Sequence, residues 1–195
     1  MKNTLLRLVL AFSASWLLGT SAMAQVVNGD FETGALAPFT VTASNGFPGV
    51  INTAPHAGQY HFRGYDNVGD GDLTQALSTV TGGSYTISAW VSTSGSINNV
   101  ARLALGSSTP VNCPQLASTY ALCTASFVAQ TNNDALHVYF STTDGSGTVF
   151  VDDIQISLTQ APAAVQPVPT LSTGLLVLLS LLLLVGAAWR KRQFR

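Results

Sequence analysis

The sequence predicts an all-β protein whose folded part is an antiparallel β-sandwich, and three observations support this prediction. Residues 25–160 are rich in Thr, Ser, Gly, Val and aromatic residues and poor in Lys, Glu and Leu, a composition that favours strands. Apolar and polar residues alternate over short stretches, as expected of strands with one buried face. Gly- and Asn-rich segments separate these stretches at short intervals, which is typical of a sandwich.

The strands can be placed individually. In the clearest one, Tyr85–Val91, the apolar side chains share one face and Trp90 lies on the other. Three more strands are predicted at residues 100–105, 136–140 and 149–158. Residues 25–160 are long enough for one domain with one core.

The N-terminus has the three parts of a secretory signal peptide. Lys2 and Arg7 supply the positive charge, residues 8–18 the apolar stretch, and Ala22-Met23-Ala24 the small-residue cleavage site. We therefore expect residues 1–24 to direct export and to be removed before Gln25.

The C-terminus carries a run from Leu171 to Trp189 without any charge, and Arg190-Lys191-Arg192 follows directly. As a helix this run is roughly 28 Å long, about the thickness of the hydrocarbon core of a bilayer. A basic cluster next to such a run stays in the cytoplasm. We predict one transmembrane helix, preceded by a Pro/Ala-rich linker at residues 161–167.

Charge is divided unevenly along the chain. All nine acidic residues lie between Asp30 and Asp153, where the only basic residues are Arg63 and Arg102, so the exported part has a formal charge of 2 − 9 = −7. Phosphate binding requires cationic side chains, and this composition excludes nucleic acid as a partner. Divalent cations and neutral ligands suit such a surface better.

Two cysteines, Cys113 and Cys123, lie in the exported part. An oxidising compartment predicts a disulfide between them. Two thiols with no histidine between them cannot complete a zinc site.

Five segments resemble a known family when they are taken in order: Asn28–Glu32, His56–Tyr60, Leu73–Leu77, Gly83–Val91 and Val151–Ile154. They are similar to motifs of the CenC-type carbohydrate-binding modules, and the third and fourth resemble that family's paired strands. The resemblance implies a galactose-binding-like jelly roll of the kind that often accompanies polysaccharide-degrading enzymes.

The resemblance also implies a structural Ca²⁺ site. Glu32 from the opening motif would join Asp152, and less centrally Asp153, around a buried ion that clamps the two ends of the sandwich. Ca²⁺ takes six to eight oxygen ligands, so carboxylates are suitable donors. The alternative is that Asp152 and Asp153 lie on an edge strand in water. A second acidic segment, Tyr65–Asp72, lacks the spacing of an EF-hand and predicts a solvated turn.

Sugar-binding surfaces combine aromatic rings, which lie against the CH faces of pyranoses, with groups that bond to hydroxyls. The candidate ligand-binding residues are Trp90, Tyr60, Tyr65, Arg63 and Gln75, with Tyr120, Tyr139 and Asn67 as further candidates. For Trp90 the alternative is a place in the core.

Catalysis has little support. The chain contains neither a Gly-x-Ser-x-Gly elbow nor a His-Glu-x-x-His motif. With Glu32, its single glutamate, assigned to the Ca²⁺ site, a glycosidase pair would need two aspartates. We therefore expect a non-catalytic protein that binds an extracellular polysaccharide or glycan. The alternatives are a structural biofilm-matrix or adhesion protein without a defined glycan, and a glycan-processing enzyme.

The tail, residues 168–195, has a second resemblance. Val168-Pro169-Thr170-Leu171, the apolar run and the basic end are similar to the IPTL (PEP-CTERM-like) sorting signals of Gram-negative bacteria that make exopolysaccharide. These signals are processed by exosortase, a membrane transpeptidase. Val168 replaces Ile and the usual Trp is missing, so a permanent anchor is the alternative. The resemblance implies export across the inner membrane, a membrane-anchored precursor, and delivery to the cell surface or matrix.

Overall fold

The computed structural model describes residues 23–94, 99–114, 118–142 and 147–163. These ranges contain ten strands arranged in two five-stranded sheets, all belonging to one compact unit, Met1–Pro162. No helix within them has the length and apolar character needed to span a bilayer. The predicted sorting signal, the transmembrane helix, and most of the signal peptide and linker lie outside the described residues.

The chain passes repeatedly from one sheet to the other. In chain order they are β1 Thr40–Thr42, β2 Gly49–Ile51, β3 His61–Gly64, β4 Gly71–Ala76, β5 Ser84–Ser94, β6 Asn99–Leu105, β7 Val111–Asn112, β8 Ala121–Val128, β9 Ala135–Thr142 and β10 Thr148–Gln160. Sheet A has the order β1-β4-β9-β6-β7 and sheet B the order β2-β3-β10-β5-β8. Every pair is antiparallel. The predicted all-β antiparallel sandwich is confirmed.

The four strands predicted from alternation correspond to β5, β6, β9 and β10. Of the missed strands, β1, β2 and β7 are two or three residues long and β3 has four, too short to show a clear period. Strand β8 was also missed, although it has eight residues and a buried side chain at every second position from Cys123 to Phe127. The resemblance implied that β4 and β5 are paired, but they lie in different sheets because the connection between them crosses from sheet A to sheet B.

The core lies between the sheets and is centred on aromatic rings. Phe140 of β9 is fully buried and meets Phe62 of β3 edge-on, with 5.5 Å between ring centroids. Gly64 and Gly71 leave the space for this ring: a Cβ at Gly71 would lie 2.1 Å from Phe140 Cε2, and one at Gly64 would lie 2.6 Å from Phe140 Cγ. Phe140 therefore fills a slot that requires glycine on both strands.

The opening segment is held against both sheets. The Ile154 amide in β10 donates to the Gly29 carbonyl (2.8 Å), so the opening and closing motifs meet. The Gln75 side chain in β4 accepts from Val27 N (2.8 Å) and donates to Val27 O (2.9 Å). Its amide thus makes the same pair of hydrogen bonds with the Val27 backbone that a neighbouring strand would make. Phe31 is completely buried below this segment.

Strand β10 contains a bulge at Asp153. The pairing with β5 shifts register between Asp152 and Gln155, and Asp153 has φ 49°. Val151 is buried before the bulge and Ile154 after it, so the bulge moves the inward alternation by one residue.

The predicted disulfide is confirmed. Cys113 follows β7 at one edge of sheet A, and Cys123 lies in β8 at one edge of sheet B, with an S–S distance of 2.06 Å. The bridge therefore joins the two sheets at one side of the sandwich.

Candidate functional site

The outer face of sheet A carries a row of polar and aromatic side chains. Tyr139 in β9 is opposite Asp72 of β4 on one side and Arg102 of β6 on the other. Because Val138 and Phe140 are fully buried, the alternating side chain of Tyr139 points away from the core. His137 lies on the same side as Tyr139, and we call Asp72, Arg102, His137 and Tyr139 the tyrosine face.

Contacts within the tyrosine face fix its geometry. The His137 and Tyr139 rings are nearly parallel (4°), with centroids 5.5 Å apart. The Arg102 guanidinium carbon lies 5.6 Å from the centre of the Tyr139 ring, and Arg102 forms an ion pair with Asp70. His137 Nδ1 is 2.9 Å from Asp72 Oδ2. The ring of Tyr139 is thus held between a cation and an imidazole–carboxylate pair.

Two polar atoms of this face lack partners. Within the described residues, Asp72 Oδ1 and Arg102 Nε are buried without a hydrogen bond. Such atoms are uncommon in folded proteins. Burial raises the pKa of Tyr139, as does the negative charge of Asp72, so the phenol remains neutral near pH 7. An aromatic ring flanked by an acceptor and a donor suits a polyhydroxylated ligand.

Trp90 lies in a cluster on the outer face of sheet B. Its ring stacks on His56 at 4.0 Å with 14° between the planes, and Tyr120 meets His56 edge-on at 5.4 Å. Tyr120 Oη is also 3.0 Å from Nδ1 of the buried His61. The alternative that Trp90 belongs to the core is wrong, but the imidazole of His56 covers part of its ring.

The two adjacent aspartates lie beside this cluster. Asp152 is 1% exposed; its Oδ2 accepts from His56 N (3.0 Å) and Ala57 N (3.2 Å), and its Oδ1 accepts from Asp153 N (2.8 Å). Burial raises the pKa of Asp152 despite these bonds. Since β10 is an inner strand of sheet B, the alternative that Asp152 lies on an edge strand in water is wrong.

A potential metal site includes both aspartates. One ligand atom each from His56, Asp152 and Asp153 lies within 4.8 Å of the others, and Asp153 Oδ2 is 2.7 Å from His56 Nδ1. Glu32 is not in this group. Its Oε1 accepts from Gln59 N (2.8 Å) and Tyr60 N (2.9 Å), so the structure shows Glu32 holding that loop.

Three of the remaining predicted ligand-binding residues line two separate cavities. Arg63 and Tyr65 line a cavity of about 240 Å³ together with Phe47 and Thr148, which we call the Phe47 cavity. Gln75 lines a different cavity and binds the Val27 backbone, a structural contact.

Tyr60 is partly buried and packs near the opening segment. A Cβ placed on Gly34 would lie 3.3 Å from Tyr60 Cζ. The ring therefore covers Gly34 rather than joining Trp90, Arg63 or Tyr139 in one surface.

Sequence reasoning missed Asp72, Arg102, His137 and Phe47 as site residues. The alternation of Leu136, Val138 and Phe140 placed His137 and Tyr139 on the outer face of one strand, but nothing in the sequence showed that β4 and β6 flank that strand. The solvated turn predicted at Tyr65–Asp72 was wrong for Asp66, which is fully buried.

No protein-family model matches the sequence, and no curated protein matches it. Solved structures do resemble it. A family 61 carbohydrate-binding module, TmCBM61 in complex with β-1,4-galactotriose, has a TM-score of 0.53 at 19% identity and covers 68% of this chain and 97% of its own. The CBM22-1 xylan-binding domain of Paenibacillus barcinonensis Xyn10C has a TM-score of 0.54 at 14% identity, with 68% and 93% covered. A family 16 carbohydrate-binding module has a TM-score of 0.51 at 12% identity, with 68% and 98% covered. The chain has the β-sandwich fold of carbohydrate-binding modules.

Proposed function

We propose that the chain is an exported, non-catalytic protein that binds an extracellular polysaccharide through the tyrosine face. The observation that carries this proposal is the outward row of Asp72, Tyr139 and Arg102 on three adjacent strands. The fold shared with carbohydrate-binding modules, one solved with a galactotriose, supports it.

The chemistry follows from the side chains. The ring of Tyr139 offers an apolar surface to the CH face of a pyranose. Asp72 accepts hydrogen bonds from sugar hydroxyls, and Arg102 donates to their oxygens. Because the row lies across a sheet face, it suits residues inside a polysaccharide chain.

The test is Tyr139→Ala in the full chain, purified in a polyoxyethylene detergent so that no glycoside headgroup competes. A glycan array first identifies a neutral oligosaccharide ligand, and titration calorimetry then compares variants. Loss of ring stacking is expected to weaken binding about tenfold, because such contacts contribute roughly 1–1.5 kcal/mol.

Tyr139→Phe is the matched control, since it keeps the ring and should retain most of the affinity. Unchanged affinity of a folded Tyr139→Ala protein would rule out the tyrosine face. A wild-type chain that binds no glycan on the array would favour the structural matrix protein.

We also propose that Ca²⁺ binds at Asp152 and Asp153 and clamps β10 to the His56–Ala57 segment. The donor set fits only in part: both carboxylates suit Ca²⁺, whereas the imidazole of His56 does not. Asp152 Oδ2 and Glu32 Oε1 each already accept from two amides, and only Asp152 lies in the cluster. The ion would offset the cost of the buried Asp152 carboxylate.

Removing Ca²⁺ with a chelator is expected to lower Tm by several degrees. An ion present at 100 times its Kd stabilises by about 2.7 kcal/mol, and each kcal/mol shifts Tm by about 2–4 °C in a chain of this size. Calorimetry should show that Asp152→Asn abolishes the shift whereas Glu32→Gln retains it. An equal Tm with and without Ca²⁺ would refute the site.

Export and sorting are proposals supported by the sequence alone. The leader would direct export, and residues 168–195 would either be processed by an exosortase-like transpeptidase or anchor the chain. The mass of the protein recovered from the cell surface distinguishes a processed tail from an intact one.

A further inference from the structure

We propose that the Phe47 cavity is a second saccharide site, which takes a single sugar ring bearing a carboxylate. This second site goes beyond the proposed function, because it lies on the other sheet. Arg63 belongs to sheet B, and the outer face of sheet B is on the opposite side of the sandwich from the tyrosine face. Its neighbours Phe62 and Gly64 are buried, so the Arg63 side chain is on the outer side of β3.

The loop that carries Phe47 is held firmly. Ser44 N donates to Asp66 Oδ2 (2.6 Å), and Asn45 Nδ2 donates to Asn67 Oδ1 (2.8 Å). Gly46 has φ 152° and approaches Tyr65 so closely that a Cβ would lie 2.1 Å from the Tyr65 carbonyl oxygen. The Phe47 carbonyl accepts from Arg63 Nη2 at 3.0 Å.

Despite this anchoring, the Phe47 side chain is 84% exposed. A single exposed apolar residue is common in proteins, but this one borders a cavity together with Tyr65 and a guanidinium. An exposed ring on a fixed loop offers a stacking surface without an ordering cost on binding.

The charge of Arg63 selects the ligand. Arg102 is neutralised by Asp70, whereas Arg63 forms no ion pair with a carboxylate of the described residues. A guanidinium has five N–H donors, and one is used by the Phe47 carbonyl, so a bidentate pair with a carboxylate is geometrically available. Burial lowers the pKa of His61, and the charge of Arg63 lowers it a little further. The imidazole of His61 is therefore neutral near pH 7 and does not draw the ligand carboxylate away from Arg63.

The size of the cavity limits the ligand. About 240 Å³ is below the roughly 300 Å³ at which pockets for drug-sized molecules begin, so the cavity has room for one sugar ring. The formal charge of −7 repels long polyanions, but this repulsion is screened beyond about 8 Å at physiological salt. A carboxylate on one ring meets mainly the local charge of Arg63.

The experiment uses the full chain in a polyoxyethylene detergent and saturation-transfer NMR. The probes are the methyl glycosides of glucuronic and galacturonic acid, with the matching neutral glucoside and galactoside as controls. At least one uronide should bind at least tenfold more tightly than its neutral counterpart. Arg63→Gln should weaken that binding at least tenfold, Phe47→Ala should weaken it severalfold, and Tyr139→Ala should leave it unchanged.

Several outcomes would overturn the site. One is a wild-type chain that binds neither uronide, and another is a wild-type chain that binds the neutral glycoside as tightly as the uronide. A third contradicting result is that Tyr139→Ala loses uronide binding while Arg63→Gln retains it. That result would assign the carboxylate to Arg102. Phe47→Ala changes an exposed side chain, so it tests the cavity even if Arg63→Gln fails to fold. Neutral binding at the tyrosine face is read separately, so either proposal can fail without the other.

Discussion

Replacing Phe140 with alanine is expected to lower the free energy of unfolding by about 3–5 kcal/mol, because the fully buried ring would leave a cavity. The cost should be in the upper part of that range. Gly64 and Gly71 have no side chains with which to fill the space, and backbone on both sheets would have to move to close it. Urea unfolding followed by far-ultraviolet circular dichroism measures the change.

Phe47→Ala is the matched control, since the same atoms are removed from a side chain that is 84% exposed. Phe47→Ala should change the free energy of unfolding by no more than about 0.5 kcal/mol. Similar midpoints for the two variants would show that Phe140 is not packed between the sheets as described.

Replacing Asp66 with asparagine is expected to cost about 3 kcal/mol at neutral pH. The carboxylate accepts from Ser44 N (2.6 Å), Val68 N (3.0 Å) and Gly69 N (3.2 Å), and hydrogen bonds to a charged acceptor are worth about 1.5–3 kcal/mol each. An asparagine would also direct an NH₂ group at one of these donors. Asp30→Asn is the control, because Asp30 is exposed and, among the described residues, its carboxylate accepts only from Glu32 N.

The same variant makes a prediction about pH. Burial alone raises the pKa of Asp66, but the backbone N–H groups of Val68, Ser44, Gly69 and Asn45 outweigh burial and hold it below its ordinary value. A lowered folded pKa gives stability that is fully present above the unfolded pKa of about 3.9 and is lost as pH falls through the folded value. The difference between wild type and Asp66→Asn should therefore shrink below about pH 4. A constant difference would contradict the ionised, buried carboxylate.

Alternation predicted β5, β6, β9 and β10 because each has one face on the core, but it missed β8, whose buried residues alternate in the same way. Tyr85, Ile87 and Val91 are all buried, as their spacing indicated. The disulfide was likewise predictable, because the sequence has only two cysteines, which lie ten residues apart.

The site was less predictable, because its residues come from strands that meet only in the folded protein. Asp72, Arg102 and Tyr139 are adjacent through cross-strand register, which a single sequence does not reveal. Asp66 shows the same difficulty: a short run rich in Asp and Gly resembles a solvated turn, and only the approach of the Ser44 loop explains a buried carboxylate there. Trp90 was placed correctly on the outer side of its strand, but the stacking of His56 on it depends on a loop from elsewhere in the chain.

Strand order also determines where this molecule is open to association with other chains. The edge strands β1, β2 and β7 are two or three residues long, whereas β8 has eight residues, no charged side chain and no proline. Its Leu122 and Val128 are 50% and 57% exposed. Among the described residues no strand pairs with the outer edge of β8, and a long, uncharged edge is a template for intermolecular strand pairing. At high local concentration, polymerisation of this protein should begin along β8.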